Sequence, residues 1–439
     1  MQRIAIATLI SSTLMTCGLS AQEGGKPPKA TVIKAGRLID VRSGRVLNDQ
    51  AILVEGERIK AVGEPGEILK AAPKDATIVD LSKATVLPGL IDCHTHVLLQ
   101  GDITQADYDE QILKESTPYR AIRATAAARV ALMNGFTAIR DLETEGAMYA
   151  DVDVKRAIQR GVIPGPRMFV STRAFSATGM YPLLGYSWEL KVPEGVQVVD
   201  GPDQIRKAVR EQVKYGADWI KFYCDRKYYL ENGKLRSKVN FTEEEMKAMV
   251  EEAHRLDRKV AAHAIGKDGI MAALKAGADT IEHGDGFDEE SIDLMIQKGV
   301  YWCPTIYVAA YVAEGRAAAG NPIWKEMVKL EERAFALAVK KKAKIAYGTD
   351  AGGYAWTENQ AKELSYMVRY GMSPMDAIRS ATTVAAELLQ SEADLGAVEA
   401  GKYADIIAVD GDPLGNIAEL EQVKFVMKNG QVYKNEIKK

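Results

Sequence analysis

Histidine is scarce in this chain, with five in 439 residues, and cysteine is scarcer still, with four. Removal of a leader ending near Ala21 would leave Cys93, Cys224 and Cys303, an odd number at unrelated spacings that excludes a disulfide framework. Each lies in an apolar, strand-like run, so all three read as buried free thiols. A net charge of −3 excludes the large basic face that a nucleic acid or an anionic membrane would need. No short repeat or low-complexity tract is present, which excludes a solenoid. What remains, at 47% hydrophobic and 27% charged residues, is the composition of a globular protein with a substantial core.

The opening "MQRIAIATLISSTLMTCGLSAQEGG" has one Arg, an interrupted apolar run and then small residues. It predicts a signal peptide over residues 1–21 and export to the periplasm or beyond, because the run is too short to span a bilayer stably. The alternative is a lipoprotein anchored at Cys17, for which "LMTC" is a poor match because Thr16 is bulkier than the usual small residue. No membrane partner is expected without that anchor, and the composition leaves a homo-oligomer open.

Residues 29–86 alternate short β-rich runs with turns, and a matching pattern returns only at 393–437, in "ADIIAVDGD" and "VKFVMKNGQVYK". Neither end can bury a sheet face alone, so the two are expected to pair into one small composite β-sandwich domain. Asn429 and Gly430 mark a hairpin turn within it. Residues 87–392 alternate eight strand-like runs with helical segments, among them "TEEE" at 242–245, spaced as a capping box, and "SPMD" at 373–376, with Ser as cap and Pro at the first helical position. Eight such repeats in about 300 residues is the arithmetic of an α/β, (β/α)8 TIM barrel.

In such a barrel the chemistry sits at the C-terminal ends of the strands, and there the scarce histidines fall. His94 and His96 end the first strand; spaced two apart, both rings reach the same side and can share one ion, with Cys93 and Thr95 facing the helices. His263 ends the fifth strand, His283 the sixth, and Asp350, in "GTDAGG", the eighth. Only His254, on a helix, lies elsewhere and reads as a satisfied surface histidine. Lys221, at the end of the fourth strand, has no acid beside it in "DWIKFYC". A buried ammonium is costly, so this amine is either converted by CO2 to a carbamate that bridges two metals, held at a depressed pKa, or drawn out toward solvent.

Taken together, "HTH" at 94–96, Lys221, His263, His283 and Asp350, with "LPGLIDCHTH" before and "EAGKYADIIAVDGDP" after, resemble the amidohydrolase superfamily, specifically the binuclear branch with a carbamylated lysine. "GTDAG" and "IEHGD" look like its imidazolonepropionase-like and Xaa-Pro-dipeptidase-like groups. The resemblance implies two divalent ions bridged by a Lys221 carbamate and by a hydroxide that attacks an amide C–N bond, in dipeptides or N-acyl amino acids, or alternatively in cyclic amides or lactones. His94, His96 and Asp350 would hold one ion, His263 and His283 the other, and Asp350 would carry the proton to the leaving amine. Zinc suits this donor set, and manganese, cobalt or iron fit similarly. Two positions depart from the dipeptidase-like pattern: "ATGMY" places Met180 where a His is common, and "HAI" places Ile265 where a Tyr is common. Tyr181, Tyr228 or Tyr229 would then supply the phenol that polarises the carbonyl, and Arg173 or Arg226 would clamp a small-molecule substrate's carboxylate. A mononuclear deaminase is disfavoured because Lys221 is present and Gly266 stands where its Glu would be. A non-catalytic periplasmic binding protein would show a broken ligand set, and none of the six positions is broken.

Overall fold

The structure is a computed structural model that describes residues 30–181 and 186–437, so the expected leader and Cys17 lie outside the described residues. Among the described residues, no helix is long and apolar enough to cross a membrane.

Both chain ends contribute to one continuous seven-stranded sheet. Its order is Gln431–Asn435, Phe425–Lys428, Ile406–Val409, Thr77–Pro88, Ala30–Asp40, Arg45–Glu55 and Arg58–Gly63. The two ends meet where Ile406 to Val409 run antiparallel to Pro88 to Thr85. One face of the sheet buries Ile33, Leu38, Ile52, Val86, Ile406 and Phe425, all at most 2% exposed. The last hairpin turns through Asn429 and Gly430, at φ 49° and 71°, and the left-handed conformation at both positions is what the Asn-Gly pair supplies at little steric cost.

Between these ends the strands are parallel. Leu90–Thr95, Phe136–Asp141 and Arg167–Val170 form one run, and Trp219–Tyr223, Lys259–Ala264, Thr280–His283 and Tyr301–Cys303 form another. Hydrogen bonds join the runs on both sides. Asp218 N donates to Val170 O at 2.8 Å, and residues 345–351 bridge the other gap through the pairings Trp302–Ile345 and Thr95–Ala351. The eighth strand expected from "KIAYGTDAG" is therefore present only as isolated bridges. Gly348 lets it approach: a Cβ there would lie 3.0 Å from that of His94 and 3.2 Å from that of Cys303. The expected caps are in place, with Thr242 and Glu245 closing a box on Glu243–Arg255 and Ser373 accepting from Asp376 N on Pro374–Ser380. The segment after Trp219–Tyr223 forms a hairpin, Asp225–Glu231 paired with Lys234–Val239.

One orientation is corrected. Cys93 does not face the helices: it packs with Ala138, Trp219, Ala261, Cys303 and Ala346, on the opposite side of the strands from Ile220 and Phe222, which join the cluster that holds the helices' apolar faces. The cause is a bulge. Pairing with Phe136–Asp141 shifts by one residue between Asp92 and Thr95, so the alternation of sides is interrupted just before the two histidines.

Candidate active site

His94, His96, Lys221, His263, His283 and Asp350 all line one cavity of about 420 Å³ at the C-terminal ends of the parallel strands. His94 Nε2 and His96 Nε2 are 3.3 Å apart, and Asp350 Oδ1 lies 3.6 Å from the first and 3.0 Å from the second. The imidazole of His283 sits 5.0 Å from that of His94 and 4.5 Å from that of His263, centroid to centroid. His94, His96 and Asp350 bring three donor atoms within 4.8 Å of one another, close enough to hold a single ion. His283 and Asp350 have φ values of 71° and 58°, a left-handed backbone uncommon for non-glycine residues, and this strain sits where the chemistry does.

Burial and the neighbouring charges set these groups apart. Burial, helped by Lys221, lowers His94 to about 4, which leaves a neutral imidazole able to donate its lone pair. Burial also opposes a charge on His96, but the hydrogen bond to Asp350 and the charges of Asp350, Glu145 and Asp141 together outweigh it and lift the ring to about 10. Asp350 in turn is held well below the usual carboxylate range by the histidines around it, against the effect of burial. Burial likewise lowers the Lys221 amine, with Glu282, Glu143 and Asp350 pulling the other way. His94 Nδ1 meets Glu282 Oε2 at 2.8 Å, and Glu282 Oε1 receives Arg140 Nη2 at 2.8 Å, with both of these charged side chains fully buried. His283 Nδ1 meets Thr305 Oγ1 at 2.9 Å, and His263 Nε2 meets the Tyr228 phenol at 2.8 Å.

Residues 85–433 match the model of the amidohydrolase family. The chain belongs to that family. This amidohydrolase is 32% identical to the ochratoxinase of Aspergillus niger, over 92% of its own length and 87% of the relative. Its structure is similar to that of a Xaa-Pro dipeptidase with bound methionine, with a TM-score of 0.81, 34% identity and coverage of 93% and 100% of the two chains. It is also similar to a prolidase complexed with N-methylphosphonate-L-proline, with a TM-score of 0.79, 29% identity and the same coverage. It is a metal-dependent hydrolase acting on carbon–nitrogen bonds.

The substrate wall of this amidohydrolase is partly as expected. Tyr181, Arg226 and Tyr228 line the cavity, as does Ile265. Arg226 lies over the rings of Tyr181 and Tyr223, at 4.9 and 4.4 Å. Tyr181 donates to Glu145 at 2.5 Å, and Tyr223 to Glu143 at 2.5 Å. Arg173 does not belong to this wall: its guanidinium donates to Val196 O at 3.0 Å, and its own carbonyl accepts from Gln212. Tyr229 points to solvent, and His254 pairs with Asp279 at 2.7 Å on the helix side. The supporting acids were not anticipated. Glu282 adjoins His283 in "IEHGD", and its partner Arg140 sits in "AIRD"; each is a charge inside an apolar strand, the signal that could have pointed inward.

Proposed function

We propose that this amidohydrolase cleaves the amide bond of dipeptides or N-acyl amino acids at a pair of divalent ions, zinc by donor preference. His94, His96 and Asp350 would hold one ion and His263 and His283 the other, with Lys221 bridging as a carbamate. The convergence of all six groups on one buried cavity carries the reading. Its similarity to a Xaa-Pro dipeptidase and to a prolidase supports the substrate class. The ring of parallel strands reads as a closed (β/α)8 barrel over residues 87–392, with residues 29–86 and 393–437 forming the accessory domain. Export through a signal peptide over residues 1–21 would place the enzyme in the periplasm.

When bound, the ions would lower the pKa of a water molecule and polarise the scissile carbonyl. The remaining steps belong to the chain. Burial favours the neutral Lys221 amine, whose lone pair adds to the carbon of CO2 with loss of a proton to solvent, leaving the carbamate anion. Asp350, kept ionised, takes the proton of the attacking water and delivers it to the departing amine, which leaves poorly as an anion. Ile265 cannot donate a hydrogen bond, so the Tyr228 hydroxyl, already in the cavity, is the donor for the carbonyl oxygen. Arg226 faces the same space and suits a substrate carboxylate.

The test is to purify the protein with its metal, count the ions, and screen dipeptide, N-acyl amino acid and lactone libraries. Amide hydrolysis with two ions per chain is expected, with turnover reduced on the order of a thousandfold or more in Asp350→Asn. Lys221→Ala should lose metal and regain part of its activity with a short-chain carboxylate. Hydrolysis confined to lactones, or full turnover in Asp350→Asn, would sink the assignment.

A further inference from the structure

Glu331 interrupts an apolar stripe. On the helix Ile323–Lys340 the other buried positions are Met327, Ala334, Phe335 and Ala338, so the helix buries a carboxylate at the centre of its hydrophobic face. It is 1% exposed, and neither of its oxygens has a hydrogen-bond partner among the described residues. Asp285, 3% exposed, also has an unpartnered Oδ1. Both side chains line the active-site cavity. The basic residue of this wall, Arg316, is already engaged: it contacts Asp102 at 3.4 Å and lies 4.2 Å over the ring of Trp324. Neither carboxyl has a salt-bridge partner among the described residues, so keeping both ionised is expensive, and a ligand that brings a positive charge offsets the cost.

The cavity beside this pair mixes polar residues such as Thr305 and Asn321 with an apolar group. Ile265, Val308 and Trp324 line the cavity, and Met327 clusters with Ile265 and Trp324. These three side chains offer nothing to a hydrated metal ion, whereas a run of methylene groups fits them and an aromatic ring favours a cation at its end.

We propose that this end of the cavity receives a long aliphatic side chain ending in a cation, and that the enzyme therefore prefers amide substrates carrying a lysine-like or arginine-like residue. The inference rests on the amide-hydrolase reading above and names its substrate class. Asp285 and Glu331 hold the charged end, and Ile265, Val308 and Trp324 sheathe the chain.

The metal-loaded enzyme is assayed on alanyl-lysine, alanyl-norleucine, lysyl-alanine and norleucyl-alanine, which compares charge at nearly constant shape on each side of the bond. A kcat/KM at least tenfold higher for lysine than for norleucine on one side supports the proposal, and Glu331→Gln should cut that ratio at least fivefold. Hydrolysis of these peptides with no lysine preference on either side overturns it while leaving amide hydrolysis intact. Should none be hydrolysed, the dipeptide part of the reading fails, and calorimetry on the same enzyme decides the subsite: tighter binding of L-lysine than L-norleucine supports it, and equal binding overturns it. The same calorimetry on wild-type protein replaces the variant if Glu331→Gln does not fold.

Discussion

His94 is held from behind by a charge that is itself held. Glu282 accepts from His94 Nδ1 on one oxygen and from Arg140 and Thr280 on the other, which fixes the ring so that Nε2 faces the cavity. Arg140 keeps Glu282 below the usual carboxylate range although burial pushes it up. A carboxylate behind a ligating histidine typically changes metal affinity 10- to 100-fold. Glu282→Gln is therefore expected to weaken ion binding by about that factor, read by titrating metal into the apoprotein, and unchanged affinity would remove Glu282 from this role. Arg140→Leu should be harsher: it leaves a buried charge unpaired, at a cost of about 3–5 kcal/mol in denaturant unfolding.

The helix Ile306–Ala318 positions one side of the site through its first turn. Thr305 precedes it at φ 55° and holds His283 Nδ1, and the first two helical N–H groups, of Ile306 and Tyr307, donate to Glu363 at 2.8 and 2.6 Å. Burial lifts Glu363 to about 8, while those two donors act against the shift. Truncation as Glu363→Ala would strand both N–H groups and leave a void, so a loss of about 2–4 kcal/mol is expected by chemical denaturation. A loss below about 0.5 kcal/mol would mean that the turn is satisfied by water. Periodicity and caps made the helices legible in the sequence, because each cap is a local interaction over three residues. The bulge at Asp92–Thr95 was not legible, since it depends on register against a strand more than 40 residues away.

The composite sheet and the ring of parallel strands are fastened where the last hairpin docks. Lys428 Nζ donates to Gly165 O at 2.7 Å, and Asn429 Oδ1 accepts from Arg167 at 2.5 Å. Burial, only partly offset by Asp405, lowers Lys428 to about 8 from 10.5. The sign follows from proton counting: between pH 8 and 10.5 the unfolded chain still binds this proton and the folded chain has released it. Stability from this group thus rises with pH across that window, by at most about 3 kcal/mol, and the cost is present in full below pH 8. Lys428→Met should flatten this rise relative to wild type in unfolding measured from pH 7 to 10.5; parallel curves would show that Lys428 carries no such cost.

Four histidines and Lys221 stood out by residue type and strand position, because an imidazole or an amine at the end of an apolar run is conspicuous where histidine is rare; Asp350 stood out between glycines in "GTDAGG", and the family resemblance gathered all six into one candidate set. Arg173 and Arg226 looked alike on the same grounds, and the folded chain separated them: one donates to a neighbouring carbonyl, and the other faces the cavity. Nor does any spacing bring Glu282 behind His94 across 188 residues, or set Asp285 and Glu331 on one wall without a partner. The candidate ligand set is written in local pattern, whereas the charges behind it and the shape of the cavity arise from contacts between distant segments, whose geometry exists only once the strands have come together around them.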